Sequence, residues 1–223
     1  YFSTIDIQSA FFAIRYKPGS NDPTAFYADC GSNTASNGES LTGRWKFKST
    51  VMGAQHSSSA LFRAMQLTLR GLPYVRVYCD DILIFTKTKD EHIKALGTVF
   101  ARIAKMGFKL AAKKCKLIHK EIEFLGYLLT GDHITPAKDK LGIIREQKPP
   151  QTVKQIRQCL GLYNFFRTFT PNFAFYSARL SALTRKNSTW KEKTPLPHDA
   201  LQAFHHLKES LLRAPTLNNP NPN

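Results

Sequence analysis

Residues 1–7 are short, rich in β-forming side chains, and run straight into Ser9-Ala10-Phe11-Phe12-Ala13-Ile14, an apolar run that begins a helix or a turn. Asp6 therefore falls at a strand end. Residues 18–43 mix Pro, Gly, Ser and Asn around the apolar island Thr24-Ala25-Phe26-Tyr27 and finish in Ser36-Asn37-Gly38-Glu39-Ser40, which predicts an irregular hairpin with a long tip. Its returning strand is expected over 44–51, where Trp45, Phe47 and Val51 punctuate polar neighbours. From 57 to 72, Ala60, Leu61, Ala64, Met65, Thr68 and Leu72 recur at helical spacing, and Gly71 and Pro73 close that helix.

The next element reads as a β-hairpin: Tyr74-Val75-Arg76-Val77-Tyr78-Cys79, then Asp80-Asp81 at the turn, then Ile82-Leu83-Ile84-Phe85-Thr86. Asp90 is a candidate cap for a helix with Ile93, Leu96, Phe100 and Ile103 on one face, ending near Gly107. Residues 108–116 are basic. Residues 121–129 form a second short hairpin candidate centred on Phe124-Leu125-Gly126-Tyr127, and Thr135-Pro136 is expected to open a helix with proline at its first position. These strands and helices suit a sheet covered on one face by two helices.

Pro149-Pro150 marks a boundary in the pattern. Beyond it Thr152 and Gln155 have capping-box spacing, and Ile156, Cys159, Leu160 and Tyr163 share the face that follows. Pro171 stops this helix, 173–183 continues weakly helical, and 198–212 carries Leu201, Phe204, Leu207 and Leu211 on one stripe. The Pro/Asn-rich residues 216–223 are expected not to pack. No internal repeat is visible. The fold class is α+β: antiparallel strands backed by helices, then a small helical domain.

Charge changes this picture. The 223 residues hold 32 Lys and Arg against 16 Asp and Glu, a formal net charge of +16. Such a surplus is self-repulsive and calls for a polyanionic partner, nucleic acid first, unless the lysines simply solvate helix faces. The bias is local: between Arg102 and Arg167, fourteen Lys and Arg face five Asp and Glu. No apolar run approaches the roughly 18 residues of a membrane helix, and no signal-peptide pattern opens the chain. Cys30, Cys79, Cys115 and Cys159 have no paired spacing, so neither a zinc cluster nor a disulfide framework is indicated. An intracellular setting fits. Because Tyr1 already reads as strand, the sequence is expected to be a piece of a longer chain.

Three carboxylates interrupt apolar strands: Asp6 at one strand end, Asp80 and Asp81 at a hairpin turn. Adjacent acids repel unless a cation holds them. Carboxylates from neighbouring strands holding two divalent metals are the standard device for in-line phosphoryl transfer, and hard oxygen ligands favour Mg²⁺. The plain alternative is that Asp is a good turn residue.

Four segments in order resemble the reverse transcriptase of gypsy-type LTR retrotransposons. They are Phe2-Ser3-Thr4-Ile5-Asp6-Ile7-Gln8-Ser9-Ala10-Phe11, Tyr78-Cys79-Asp80-Asp81-Ile82-Leu83, Glu123-Phe124-Leu125-Gly126-Tyr127, and Gln155-Ile156-Arg157-Gln158-Cys159-Leu160-Gly161-Leu162-Tyr163-Asn164-Phe165-Phe166-Arg167. The late segment from Trp190 through Ala214-Pro215 is similar to the family's linker towards ribonuclease H. The resemblance implies a polymerase palm over residues 1–148 with fingers largely absent, a helical thumb over 149–185 and a linker over 186–223.

It also implies roles. Asp6, Asp80 and Asp81 match the catalytic, metal-binding acids, with Ile7 at the metal site, holding two Mg²⁺ ions or Mn²⁺ in their place. Phe11 matches the aromatic that rejects a ribose 2′-hydroxyl, and Gly53, Lys113 and Lys114 join it at the nucleotide. Tyr78, the hairpin residues Phe124, Leu125, Gly126 and Tyr127, and Arg157, Gly161, Asn164 and Phe165 on the thumb helix match primer and template contacts. The implied partners are an RNA or DNA template with primer, deoxynucleotides, and polyprotein neighbours (fingers, ribonuclease H, integrase), in a cytoplasmic virus-like particle or the nucleus. No membrane is implied. Metal ions supply the activation in such enzymes, so none of the seven histidines receives a role.

Some alternatives stay open on sequence. Phe11 also suits core packing, Lys113 and Lys114 a solvated strand end, and Gly161 helix packing. Val51-Met52-Gly53-Ala54-Gln55-His56-Ser57-Ser58 departs from the family's Pro-Phe-Gly-Leu-Lys-Asn-Ala-Pro, and the hairpin tip at 29–43 is longer than usual. These departures leave a second reading, a catalytically decayed or repurposed nucleic-acid-binding remnant. A carboxylate-metal nuclease is disfavoured because no further acid or histidine cluster accompanies the triad.

Overall fold

The computed structural model describes residues 1–17 and 24–213, with the backbone of 217 and 218. The chain forms two compact units, Tyr1–Lys120 and Glu121–Asn223.

The first unit is built on an antiparallel sheet of β1 (Phe2–Asp6), β4 (Val75–Tyr78), β5 (Asp81–Phe85) and β6 (Lys116–His119), in the order β4-β5-β1-β6. Alternation along β1 and β5 sends Ile5, Ile82 and Ile84 into the core, where they share one cluster with Leu61 and Met65 of α1 (Ser57–Thr68) and Val99 and Ile103 of α2 (Lys89–Lys105). β2 (Phe26–Ala28) and β3 (Gly43–Trp45) form the irregular hairpin. The returning strand is three residues rather than 44–51, because residues 48–50 turn instead to residues 14–16: Tyr16 N–H donates to Lys48 O and Thr50 N–H to Ile14 O. Of the expected hairpin, residues 18–23 lie outside the described residues.

Two expectations for α2 need correction. Its N-cap is Thr88, not Asp90: Thr88 Oγ1 accepts from Glu91 N–H, and Glu91 accepts from Thr88 N–H in a full capping box. Asp90 falls in the first turn, where its charge still suits the positive helix end. The buried face is His92, Ala95, Leu96, Val99 and Ile103, whereas Ile93 is exposed. Of the expected face, Leu96 and Ile103 are buried and Phe100 packs against the core; only Ile93 points away, and His92, Ala95 and Val99 complete the buried side.

The second unit joins the meander β7 (Ile122–Phe124), β8 (Tyr127–Leu129) and β9 (His133–Pro136) to α3 (Lys138–Glu146), α4 (Val153–Phe165), α5 (Phe173–Ala182) and α6 (His198–Leu212). Pro136 closes β9 opposite Tyr127, so the helix expected to open there starts two residues later. Thr152 caps α4 by accepting from Gln155 N–H, while the Gln155 side chain accepts from Gln151 N–H, one residue beyond its expected box partner. Ile144, Ile156, Tyr163, Phe166, Phe169, Phe204, Leu207 and Leu211 form the core. Tyr127 and Ile134 pack against it, which is why the units divide at Lys120/Glu121 and not at Pro149-Pro150. The expectation that 216–223 does not pack fails for two residues: β10 (Leu217–Asn218) pairs with β9. Among the described residues, no helix is long and apolar enough to cross a membrane.

Candidate active site

β1 and β5 run antiparallel in unbroken register from Phe2↔Phe85 to Asp6↔Asp81, so these two acids face each other across neighbouring strands. β5 turns to β4 through two residues, Cys79 and Asp80, closed by the pair Tyr78↔Asp81. The turn therefore sits one residue earlier than the sequence placed it: Asp80 occupies it, and Asp81 is the first strand residue. Cys79 takes φ +55°, the positive φ that a tight two-residue hairpin demands. All three acids thus gather where the ends of β1 and β5 meet the turn.

Lys114 answers part of this charge. Its ammonium lies 3.5 Å from Asp6 Oδ2. It reaches there because the preceding segment lies along the end of β1: Gln8 N–H donates to Lys109 O (2.8 Å), Ile7 bridges Leu110, and Ala111 N–H donates to Asp6 O (3.0 Å). The Asp81 carboxyl is held above the usual carboxylate range by crowding from the protein, then by Asp80 and Asp6, against the opposing pull of Lys114. One lysine facing three acids leaves a surplus of negative charge. Among the described residues, no three of His, Cys, Asp and Glu converge as a ready-made metal cage. Mg²⁺ takes one or two carboxylates and completes its shell with water and substrate phosphate, so the donor set fits a hard divalent cation.

The other residues predicted in this unit are placed as follows. Phe11 lies in a 3-10 turn (Ala10–Ala13), half-buried against the first core, with Phe12 exposed beside it. Tyr78 is exposed on the closing pair of the hairpin. Gly53 adopts φ +85° with open space around it, so the altered 51–58 segment keeps a turn that only glycine enters freely. Lys113 is exposed.

In the second unit, Phe124 and Tyr127 close a two-residue turn in which Leu125 (φ +49°) and Gly126 (φ +79°) both take positive φ. This turn rests on the C-terminal end of α4. Tyr127 stacks on Phe165 with centroids 5.3 Å apart and donates its hydroxyl to Phe165 O, and a Cβ on Gly126 would stand 3.4 Å from the Phe165 ring. Arg157, Gly161, Asn164 and Phe165 share the exposed side of α4, opposite buried Ile156, Cys159 and Tyr163. A Cβ on Gly161 would meet nothing within 4 Å, so this glycine makes no close packing contact within the chain.

The comparisons with known proteins now bear on this geometry. The family model described as "Reverse transcriptase (RNA-dependent DNA polymerase)" matches residues 1–129, which hold the three acids and the second hairpin. The chain belongs to the reverse transcriptase family. It is 31% identical to the retrovirus-related Pol polyprotein from transposon 297 of Drosophila melanogaster, over 99% of this chain and 20% of that protein. It is 30% identical to the one from transposon opus of the same organism, over 95% of this chain and 21% of that protein. It thus spans about a fifth of the length of these relatives. A solved foamy viral protease-reverse transcriptase, in complex with double-stranded DNA, matches with a TM-score of 0.82 and 25% identity, over 99% of this chain and 37% of that one. The resemblance to an LTR-retrotransposon reverse transcriptase is thereby borne out, as is the mixed fold of antiparallel sheets and helices. Reverse transcriptases generally depend on a divalent metal.

The sequence did not reveal a buried polar network on the same strands, three rungs from the Asp6↔Asp81 pair. Ser3 is fully buried in β1, and His92 is fully buried in α2. Ser3 Oγ lies 2.7 Å from His92 Nε2, and Thr86 Oγ1 lies 2.9 Å from Nδ1. Burial holds the imidazole below the usual histidine range. A signal was present in strand parity: Ser3 shares the inward face of Ile5 and Ile7.

Proposed function

We propose that this chain is the palm, thumb and linker of an RNA-directed DNA polymerase that adds deoxynucleotides to a primer 3′-hydroxyl on an RNA or DNA template. The observation that carries it is the register Asp6↔Asp81 with Asp80 in the adjoining turn, a cluster of acids with more negative charge than Lys114 offsets. In this reading the palm runs through residue 148, the thumb covers 149–185 and the linker 186–223, although the packing unit that contains the thumb helices begins at Glu121.

Asp6, Asp80 and Asp81, with Ile7, would hold two Mg²⁺ ions or Mn²⁺ in their place. The chemistry such ions supply is activation of the 3′-hydroxyl and stabilisation of the departing pyrophosphate. The chain's own groups do the rest. The Phe11 ring would exclude a 2′-hydroxyl, Lys113 and Lys114 would bind the nucleotide phosphates, and the turn at Gly53 would line the nucleotide. Tyr78 and the turn from Phe124 to Tyr127 would seat the primer end. Arg157, Gly161, Asn164 and Phe165 would follow the duplex by shape and backbone, without reading sequence. Open space at Gly161 supports that role, since a close-approaching backbone needs the missing Cβ. The setting is intracellular, in a virus-like particle or the nucleus, among the other parts of a Pol polyprotein.

The test is primer extension on poly(rA)/oligo(dT) with Mg²⁺, using the chain within its flanking coding sequence, beside an Asp80→Asn, Asp81→Asn control. Extension by the parent alone is expected. Equal behaviour of the two would overturn the polymerase reading, and duplex binding without extension would favour the remnant. In either case log affinity for duplex should fall with log salt at about −0.9 per phosphate neutralised. A flat salt response excludes both readings.

A further inference from the structure

β1 meets its two neighbours differently. Against β5 the pairing is regular over all five residues, but against β6 only Phe2↔His119 and Thr4↔Lys116 pair, with a register shift between them. Two steps along β1 are matched by three along β6, which defines a bulge. Ile118 occupies it at φ +59°, a conformation that a β-branched residue rarely adopts. Its N–H donates to Ser3 Oγ at 2.9 Å. A side-chain hydroxyl thus stands in for the missing rung.

The proton count around that hydroxyl closes in one way. Thr86 Oγ1 lies 3.0 Å from Thr88 O and 2.9 Å from His92 Nδ1, so when it donates to the carbonyl it accepts from the ring. Neutral His92 must then carry its proton on Nδ1 and accept at Nε2. Ser3 supplies that proton, leaving its lone pairs to the Ile118 N–H. The opposite tautomer leaves the hydrogen of the fully buried Ser3 without an acceptor, because Ser3 Oγ would then accept from both His92 Nε2 and Ile118 N–H.

The bulge lies just after the segment that carries Lys114. That segment is tied at its near end by Ala111 N–H to Asp6 O and at its far end by β6, with Lys114 between. We propose that Ser3 and His92 are positioning residues: through the Nδ1–H tautomer of His92 they pin the β6 bulge, and the bulge sets where Lys114 stands against Asp6. The consequence for nucleotide binding rests on the polymerase reading; the mechanical coupling does not.

Both parts have a test. In the parent, ¹⁵N spectroscopy of His92 should report the Nδ1–H form, and an Nε2–H form would overturn the assignment. In Ser3→Ala, amide exchange at Ile118 should quicken by about tenfold or more and at Ala111 by at least about threefold, while the β4–β5 amides stay as they were. Equal quickening across the sheet would mean general loosening, and an unchanged Ala111 would mean no coupling; either overturns the proposal. Ser3→Thr, which keeps the hydroxyl, should restore protection at Ile118. In primer extension, Ser3→Ala should raise the KM for deoxynucleotide by about threefold or more, with no further rise in a Lys114→Ala background, since contacts in series are not additive. Additive effects would overturn it. If the parent does not extend primers at all, the polymerase reading fails and the exchange results alone decide the coupling.

Discussion

The two hairpins of this chain use the same backbone device to different ends. Each turns in two residues, and each places a non-glycine residue at positive φ, Cys79 in one and Leu125 in the other. The first sets Asp80 and Asp81 beside Asp6, where the charges are offset only in part. The second has its turn held by Phe165, through a stacked ring, a tyrosine hydrogen bond and a glycine that leaves room for the ring edge. The difference shows what tight turns can do here. One fixes the register of groups that need a ligand, and the other fixes a backbone by contact within the chain.

The sharpest way to break the comparison is to remove the charge from the first turn. Asp81→Asn should reduce primer extension by about three orders of magnitude, the several kcal/mol that metal-assisted charge stabilisation contributes. Folding should not suffer, because burial, and then Asp80 and Asp6, disfavour the charged Asp81 carboxylate in the native state. Single-turnover extension read beside a thermal melt checks both halves. A variant that loses activity only because it unfolds would show that the turn is held by its acids after all.

The second hairpin should respond the other way. Gly126→Ala meets both a positive φ and the Phe165 ring at 3.4 Å, and should destabilise by about 1–2 kcal/mol. Cys79→Gly relieves a positive φ and should stabilise by up to about 1 kcal/mol. Urea unfolding of the two variants would decide. Similar losses in both would mean that the first turn is also locked by packing.

A smaller effect is expected from Tyr127→Phe, which leaves the ring stacked on Phe165 but removes the hydroxyl donated to Phe165 O. An exposed hydrogen bond of this kind contributes at the low end of about 0.5–1.5 kcal/mol. In a double-mutant cycle with Phe165→Ala, coupling is expected through the ring contact that positions Tyr127, because the acceptor is the main-chain oxygen, which alanine retains. Strict additivity would mean that the hydroxyl bond does not depend on the Phe165 ring.

Much of this was legible in the chain. Both hairpins announced themselves because β-forming residues flank a short interruption, and the acids stood out against apolar strands. The order of four motifs then assigned the family. The turn of the first hairpin was misplaced by one residue because Asp has a strong turn propensity and Cys has little, yet closure of Tyr78 on Asp81 puts Cys79 in the turn. The cap of α2 was missed for a related reason, as Thr88 and Asp90 are both good caps and only the reach of Glu91 separates them. Local pattern had no means of revealing that Lys114 stands 3.5 Å from Asp6, or that His92 is buried against Ser3. Both contacts join residues about ninety or more positions apart, fixed by the sheet order β4-β5-β1-β6.

The smallest expected effect is on pH dependence, and its sign separates the two turns. The native Asp81 carboxyl titrates above its ordinary value of 3.8, so between that value and the raised one the folded state holds more protons than the unfolded state. Stability from this group is therefore present at low pH and lost as pH rises through the raised value. Asp81→Asn removes that loss. The variant should be the more stable protein at neutral pH, by less than about 1 kcal/mol because solvent screens this exposed carboxyl, and the advantage should vanish on acidification below the window. Gly126→Ala introduces no such group, and Tyr127 beside it is pushed upward by burial, away from the acidic range. Its stability difference from the parent should therefore stay level from acid to neutral pH. Urea midpoints of both variants across that range provide the check, and an Asp81→Asn variant less stable than the parent at neutral pH, with the deficit shrinking on acidification, would show that Lys114, not burial and the neighbouring acids, dominates at this carboxylate.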